Sequence, residues 1–224
     1  VTIGGTKNPD LERIASLRPT HILVNEEENK LEHILACETI SPTFRTYPKT
    51  PDEVPALLRQ VGEWLGRGAE GESWAGQVES RLNRLKELEQ RDLSQIRKYL
   101  YLIWKEPYMV ASDDTYIAGM LKLIGLSNIA PLNTRYPSLS VREMRELSPD
   151  VIFLSSEPYP FRNRDIKVLE IQWMDRESIA EDLHGRLPHF RKIDGQVLSW
   201  YGTMTVSGLD YLDRLRRELV SLRD

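Results

Sequence analysis

Three consecutive carboxylates, Glu26, Glu27 and Glu28, stand between Asn25 and Asn29. Placed directly after an apolar run, they offer a polar contact to a bound group or, if one is protonated, a proton to exchange. A fourth carboxylate, Glu157, lies in Ser155-Ser156-Glu157-Pro158-Tyr159-Pro160-Phe161, where two prolines stiffen a segment rich in aromatics. Aromatic rings on rigid loops give a large contact area at small entropic cost. Trp104, Tyr136, Trp200 and Tyr201 also lie next to or near proline, glycine or a charged loop residue. The candidate ligand contacts are therefore Asn25, Glu27, Trp104, Tyr136, Glu157, Tyr159, Phe161, Trp200 and Tyr201. Two competing roles stand beside this one. Glu26 and Glu28 also suit the first turn of a following helix, where acids complement the macrodipole. Trp104 and Tyr116 also suit a packed core.

Signals for catalysis are weaker. His21, His33, His184 and His189 are scattered without metal-ligand spacing, and each fits a surface or capping position. The single cysteine, Cys37, makes neither an intramolecular disulfide nor a zinc set, and suits a small core position. No nucleophile elbow or phosphate loop occurs, and Ile3-Gly4-Gly5-Thr6 is only a glycine turn. An α/β enzyme, a hydrolase or synthase using Glu27 or Glu157 as acid or base, is the alternative to a binding protein. No cofactor and no directly bound metal is expected.

The elements that must position these residues emerge from a self-match at an offset of 130. The segment from Leu11 to Asn25 aligns with that from Val141 to Ser155, with apolar residues coinciding at Leu11/Val141, Ile14/Met144 and Leu17/Leu147. That step suits one face of a short helix. Pro19 and Pro149 end both helices, and the apolar runs from Ile22 to Val24 and from Val151 to Leu154 read as strands buried on both faces of parallel sheets. The register makes Glu27 and Glu157 equivalent, so that they face each other across a cleft. Only ten residues precede the first copy, whereas Tyr99 to Gly125, a strand and a helix, precede the second. The first lobe is therefore expected to lack one strand and helix, and to self-associate through the exposed edge.

Between the copies, Trp74, Val78, Leu82, Leu85, Leu88, Leu93 and Ile96 trace the stripe of a long amphipathic helix. Thr50-Pro51-Asp52-Glu53 and Ser140-Val141-Arg142-Glu143 read as capping boxes, the former opening a helix through Leu65 that stops at Gly66. A helix from Asp114 to Ile124 closes at Gly125, and Leu209, Leu212, Leu215, Leu219 and Leu222 mark a final amphipathic helix. The expected fold is α/β, with two lobes built on parallel-type central sheets and joined by one long spine helix. The divisions are a first lobe over 1–70, the helix over 71–98 and a second lobe over 99–224. One continuous sheet enclosing the helix is the alternative.

Thirty basic and 34 acidic residues leave a formal charge of −4, without the basic patch of a nucleic-acid binder. No stretch approaches the ~20 apolar residues of a spanning helix. The chain opens at Val1 with neither methionine nor a charged-then-apolar leader, so the residues alone do not give a compartment.

Several segments carry a family resemblance: Gly4-Gly5-Thr6-Lys7-Asn8-Pro9-Asp10-Leu11-Glu12-Arg13-Ile14, Asn25-Glu26-Glu27-Glu28-Asn29, Ile103-Trp104-Lys105-Glu106-Pro107, Asp114-Thr115-Tyr116-Ile117, Ser155 to Phe161, and Ser199-Trp200-Tyr201-Gly202. In this order they resemble the helical-backbone periplasmic binding proteins of ABC importers for iron-siderophores, haem and cobalamin. The resemblance implies a receptor that clasps a metal chelate between two lobes and delivers it to an ABC transporter permease. It also implies a periplasmic location, or a lipid-anchored one outside a cell with a single membrane. A docking glutamate of the family matches Glu12, while the second docking position falls at Gly202, a departure from the pattern. Tryptophans of the cobalamin binders fall at Thr6 and Asn25, which favours an iron-siderophore over a corrinoid.

Overall fold

The computed structural model describes residues 1–91, 97–174 and 187–221; Leu93, Ile96, His184 and Leu222 lie outside them. The chain divides into two compact units, residues 1–48 with 55–75, and residues 49–54 with 76–224.

The first unit opens with a small antiparallel hairpin, β1 (Gly4–Gly5) and β2 (Asn8–Pro9), followed by α1 (Leu11–Ser16), β3 (Ile22–Asn25), α2 (Leu31–Ile40) and β4 (Thr43–Thr46). Strands β3 and β4 pair in parallel. Gly4, at φ 90°, meets a steric demand at the hairpin, because a Cβ there would lie 2.7 Å from the Asn8 carbonyl oxygen. After a 3₁₀ turn at Pro51–Glu53 come α3 (Val54–Trp64) and the start of α4 (Gly68–Arg91). These two helices approach closely at Gly71, where a Cβ would come within 2.7 Å of the Leu58 carbonyl oxygen and 3.0 Å of the Gly62 Cα.

The second unit holds the rest of α4, then β5 (Arg97–Trp104), β6 (Met109–Val110), α5 (Tyr116–Lys122), β7 (Leu126–Asn128), α6 (Val141–Glu146), β8 (Val151–Ser155), α7 (Asn163–Met174), β9 (His189–Ile193), α8 (Gly195–Ser199) and α9 (Met204–Ser221). Its sheet runs β6-β5-β8-β9, with β7 on β5; the β5–β7, β5–β8 and β8–β9 pairs are parallel and β5–β6 is antiparallel. Alternate residues of β5 serve the two faces, as the pleat requires. Leu100 and Leu102 join Ile152, Leu154, Met144, Leu169 and Trp173 on one side, while Tyr99 and Tyr101 pack beside Phe153 on the other.

The repeat extends into the backbone. Helices α1 and α6 begin at positions 130 apart, capped by Asp10 and by Ser140. Each is followed by a non-glycine residue with positive φ, Arg18 at 48° and Ser148 at 51°, just before the matched prolines. At α6 the capping box is complete, whereas at the 3₁₀ turn Thr50 makes no side-chain cap bond. There Glu53 instead accepts from the Lys49 N–H and the Thr50 hydroxyl, so that box is corrected to a half-box. The strands also differ. All five residues of β8 are buried between β5 and β9, but Leu23 on β3 is 58% exposed where its counterpart Phe153 is fully buried. Among the described residues β3 pairs only with β4, so one edge of the run expected to be buried has no strand partner there.

Helix α4 carries its apolar stripe on Ala75, Val78, Leu82 and Leu85. Trp74 falls one position outside it and is 38% exposed, because the buried steps of three and four run through Ala75. In the second unit α4 is fastened to α9 by the Arg81–Asp210 and Arg84–Asp213 ion pairs, both 2.8 Å. Helix α9 buries Leu209, Leu212, Leu215 and Leu219.

Candidate functional site

Ligands of open α/β sheets gather at the carboxyl ends of the strands, and the candidate residues follow those ends. In the first unit β3 ends at Asn25, whose side-chain oxygen accepts the Glu27 backbone N–H at 2.8 Å. In the second unit β8 ends at Ser155, whose hydroxyl accepts the Glu157 backbone N–H at 3.3 Å. The offset of 130 therefore holds through the turn that presents each glutamate.

The surroundings of the two turns differ. The carboxamide of Asn29 spans the first: its oxygen accepts the Asn25 N–H at 2.8 Å and its nitrogen donates to the Thr6 carbonyl at 2.9 Å. From the hairpin, Lys7 Nζ donates to the Glu27 carbonyl oxygen at 2.7 Å and lies 3.7 Å from Glu28, while the Thr6 hydroxyl donates to Glu28 at 3.3 Å. Arg45 stands 3.9 Å from Glu26. None of the three glutamates belongs to the first turn of α2, which starts at Leu31, so their placement in that helix is set aside. The reason is local, since the Glu28 and Asn29 N–H groups both turn back to the Asn25 carbonyl.

Around the second turn the partners include two aromatics, Tyr101 buried and Trp200 exposed. Tyr101, fully buried, donates its hydroxyl to Ser155 Oγ at 3.1 Å. Burial pushes the Tyr101 phenol upward, which keeps that proton in place. Ser155 Oγ in turn donates to the Glu157 carbonyl oxygen at 2.6 Å. The Gly195 N–H meets the Ser156 hydroxyl at 2.9 Å, and the Trp200 indole N–H donates to Glu157 Oε1 at 2.8 Å. Trp200 is 56% exposed. The loop then returns along β5 through a bond from the Tyr159 N–H to the Ile103 carbonyl. Tyr159 consequently lies edge-on to Trp104 at 5.8 Å and to Phe161 at 4.7 Å between ring centroids.

Trp104, which also suited a core, is 41% exposed, whereas Phe161 is 5% exposed and packs in the core with Leu102, Val110 and Leu169. Tyr201 lies 5.9 Å from the ring of buried Tyr116. Tyr136 occupies a loop running beside β6, where Pro137 and Arg135 carbonyls accept the Val110 and Ser112 N–H groups. The structure thus assembles Trp104, Glu157, Tyr159 and Trp200 at one sheet end, sets Phe161 beneath them, and places Tyr136 on another loop. Asn25 and Glu27 belong to the first unit. Glu12 is exposed on α1.

Two further groups escaped sequence reasoning. Lys105 Nζ lies 3.0 Å from Asp165, which is 3% exposed and also accepts the Arg162 N–H at the start of α7. Burial alone would raise the Asp165 carboxyl, but the Arg162 N–H and the Lys105 ammonium hold it below its ordinary range. Asp165 raises the Lys105 ammonium in return, against its own desolvation. The second group is Tyr101, Ser155 and Gly195, whose local sequence carries no signal for the site. His21 packs edge-on against Trp64 at 4.7 Å. Among the described residues no group of three or more His, Cys, Asp or Glu could hold a metal ion, and no helix is long and apolar enough to cross a membrane.

Residues 1–176 match the family model described as periplasmic binding protein. The Fe(3+)-citrate-binding protein YfmC of Bacillus subtilis is 23% identical over 158 residues, covering 69% of this chain and 49% of that protein. The high-affinity heme uptake system protein IsdE of Staphylococcus aureus is 23% identical over 156 residues, covering 67% and 52%. The chain spans about half the length of these curated relatives. The periplasmic vitamin B12 binding protein BtuF of Vibrio cholerae shares the fold with a TM-score of 0.76 at 16% identity, over 99% of this chain and 82% of that one. The apo periplasmic heme-binding protein RhuT of Roseiflexus sp. RS-1 does so with a TM-score of 0.73 at 21% identity, over 96% and 82%.

Proposed function

We propose a function from one premise: the chain belongs to the periplasmic binding protein family. Periplasmic localisation is typical of that family. The protein binds a metal chelate, an iron-siderophore in the first place and haem or cobalamin otherwise, and passes it to an ABC import permease without chemical turnover. Asn25 and Glu27 contribute from the first unit; Trp104, Glu157, Tyr159, Trp200 and Tyr201 contribute from the second, with Phe161 as the packed base under Tyr159 and Tyr136 at the margin. Glu12 docks the permease.

The observation that supports this reading best is the pairing of Glu157 with the exposed Trp200, beside the Trp104–Tyr159 edge contact at the carboxyl ends of β5 and β8. A rigid carboxylate among partly exposed rings suits capture, since such rings anchor ligands at low entropic cost. Ferric siderophores, haem and cyanocobalamin should be titrated while following tryptophan fluorescence. For the chelate that binds, Trp200→Ala is expected to cost about 1–3 kcal/mol of affinity, the range of an aromatic anchor. Unchanged affinity in both Trp200→Ala and Tyr159→Ala would remove the site.

A further inference from the structure

Glu157 is half-buried, and only one of its carboxylate oxygens is engaged. Oε1 accepts the Trp200 indole N–H, while Oε2 has no hydrogen-bond partner among the described residues. That oxygen is a free acceptor, open to an incoming donor at the carboxyl end of β8. The oxygen is also held in place. The Glu157 N–H and carbonyl both engage Ser155 Oγ, that hydroxyl is fixed by buried Tyr101, and a Cβ on Gly195 would lie 2.9 Å from Glu157 Cγ. The loop therefore fixes the backbone that carries this acceptor, and the Trp200 bond fixes the carboxylate on it.

Lys105, just past the end of β5, makes its ion pair elsewhere. Lys105 has its side chain 18% exposed and its ammonium 3.0 Å from Asp165, so its charge is balanced by that partner rather than presented to a ligand. Arg162 and Arg164 are exposed at the start of α7 and are the remaining cations close in sequence to this loop.

We infer that Glu157 is a fixed acceptor that selects chelates carrying an outward ammonium over chelates whose periphery carries carboxylates. This inference rests on the chelate-binding reading above and adds the polarity of the ligand to it. A carboxylate brought to Oε2 meets like charge, whereas an ammonium gains a charge-assisted hydrogen bond without reorganising the site.

Ferrioxamine B and its N-succinyl derivative share one ferric trihydroxamate core, and succinylation replaces the terminal ammonium by a carboxylate. Both should be titrated by tryptophan quenching alongside ferric dicitrate and haem, using the wild-type chain and Glu157→Gln. The glutamine keeps an oxygen for Trp200 and removes the charge. Ferrioxamine B should bind about tenfold or more tightly than the succinyl form, the difference expected of one charged hydrogen bond, and Glu157→Gln should erase that preference. Equal affinities, tightest binding of a carboxylate-bearing chelate, or a preference that survives Glu157→Gln would each overturn the inference and leave chelate binding standing. Binding of none of these chelates by the folded chain would overturn both. Circular dichroism of Glu157→Gln separates loss of selectivity from loss of fold.

Discussion

Substituting Gly195 by alanine perturbs the site without removing any group that a ligand would touch. Gly195 opens α8, its N–H meets Ser156, and its φ is not in the left-handed region, so alanine is allowed by the backbone. The cost is steric. A Cβ there would lie 2.3 Å from Ser155 Oγ and 2.9 Å from Glu157 Cγ. Ser155 is fully buried and tied to Tyr101 and to Glu157, so it cannot withdraw without breaking those bonds. Overpacking of this kind costs about 2–3 kcal/mol, and the lower chain entropy of alanine returns about 0.5–1 kcal/mol. Steric cost wins. A net loss of about 1–2.5 kcal/mol corresponds to about 2–10 °C in the midpoint of thermal unfolding for a chain of this size. Gly76→Ala is the matched control, since a Cβ there meets nothing within 4 Å inside α4, and it should stabilise by about 0.5–1 kcal/mol. Scanning calorimetry reads both variants, and a chelate titration should show weaker binding in Gly195→Ala alone. An unshifted midpoint with wild-type affinity for Gly195→Ala would refute the rigidity assigned to this turn.

Asp165→Asn should cost about 2–4 kcal/mol, because it removes one charge of a buried pair together with a charged bond at the start of α7. The Asp165 pKa is lowered and the Lys105 pKa raised. The pair therefore stabilises above the ordinary carboxylate range near ~4 and below the ordinary lysine value near ~10.4, and its contribution is lost as pH falls through the lowered Asp165 value or rises through the raised Lys105 value. Unfolding midpoints across pH should show a flatter acid limb in the variant, and parallel curves would contradict this. Glu12→Ala should leave the melting curve and chelate affinity unchanged while reducing uptake through a cognate permease; loss of chelate binding would reverse the docking role. Leu23 and Leu31 are 58% and 61% exposed where their register mates Phe153 and Phe161 are buried, so the chain should self-associate, and Leu31→Gln should raise the monomer fraction in sedimentation runs. A wild-type chain that stays monomeric at high concentration would dispose of that expectation.

Where sequence and structure agree, the signal was periodic or local. The 130-residue repeat was legible because helix, proline and strand recur with the same apolar steps, and the Ser140–Glu143 box because a cap needs only four residues. Phe161 shows the limit. Beside Pro160 it reads as an exposed loop ring, yet Leu102 and Val110, about 50–60 positions earlier, bury it. Trp104 suits both a ligand contact and a packed core by sequence, and at 41% exposed it is not packed away, because it ends β5 beside the Tyr159 ring. The Tyr101–Ser155 bond joins residues 54 apart, and no window of sequence contains both. The first strand of the repeat reads as buried because its run is apolar, but burial depends on what packs around it, and β3 has only β4 as strand partner among the described residues.

The duplicated turn separates the backbone bond that both units share from the side chains that differ around it. In both copies the last strand residue caps the N–H two positions later, by carboxamide in one and hydroxyl in the other. What surrounds the turn is a polar hairpin in the first unit and an aromatic shelf in the second. Each unit can therefore change the surroundings of its turn while the backbone bond stays intact, so substitutions around one turn leave the scaffold of the other untouched. Laboratory evolution could exploit the same independence, by randomising Thr6 and Lys7 in one library and Trp104, Tyr159 and Trp200 in another, then recombining the survivors.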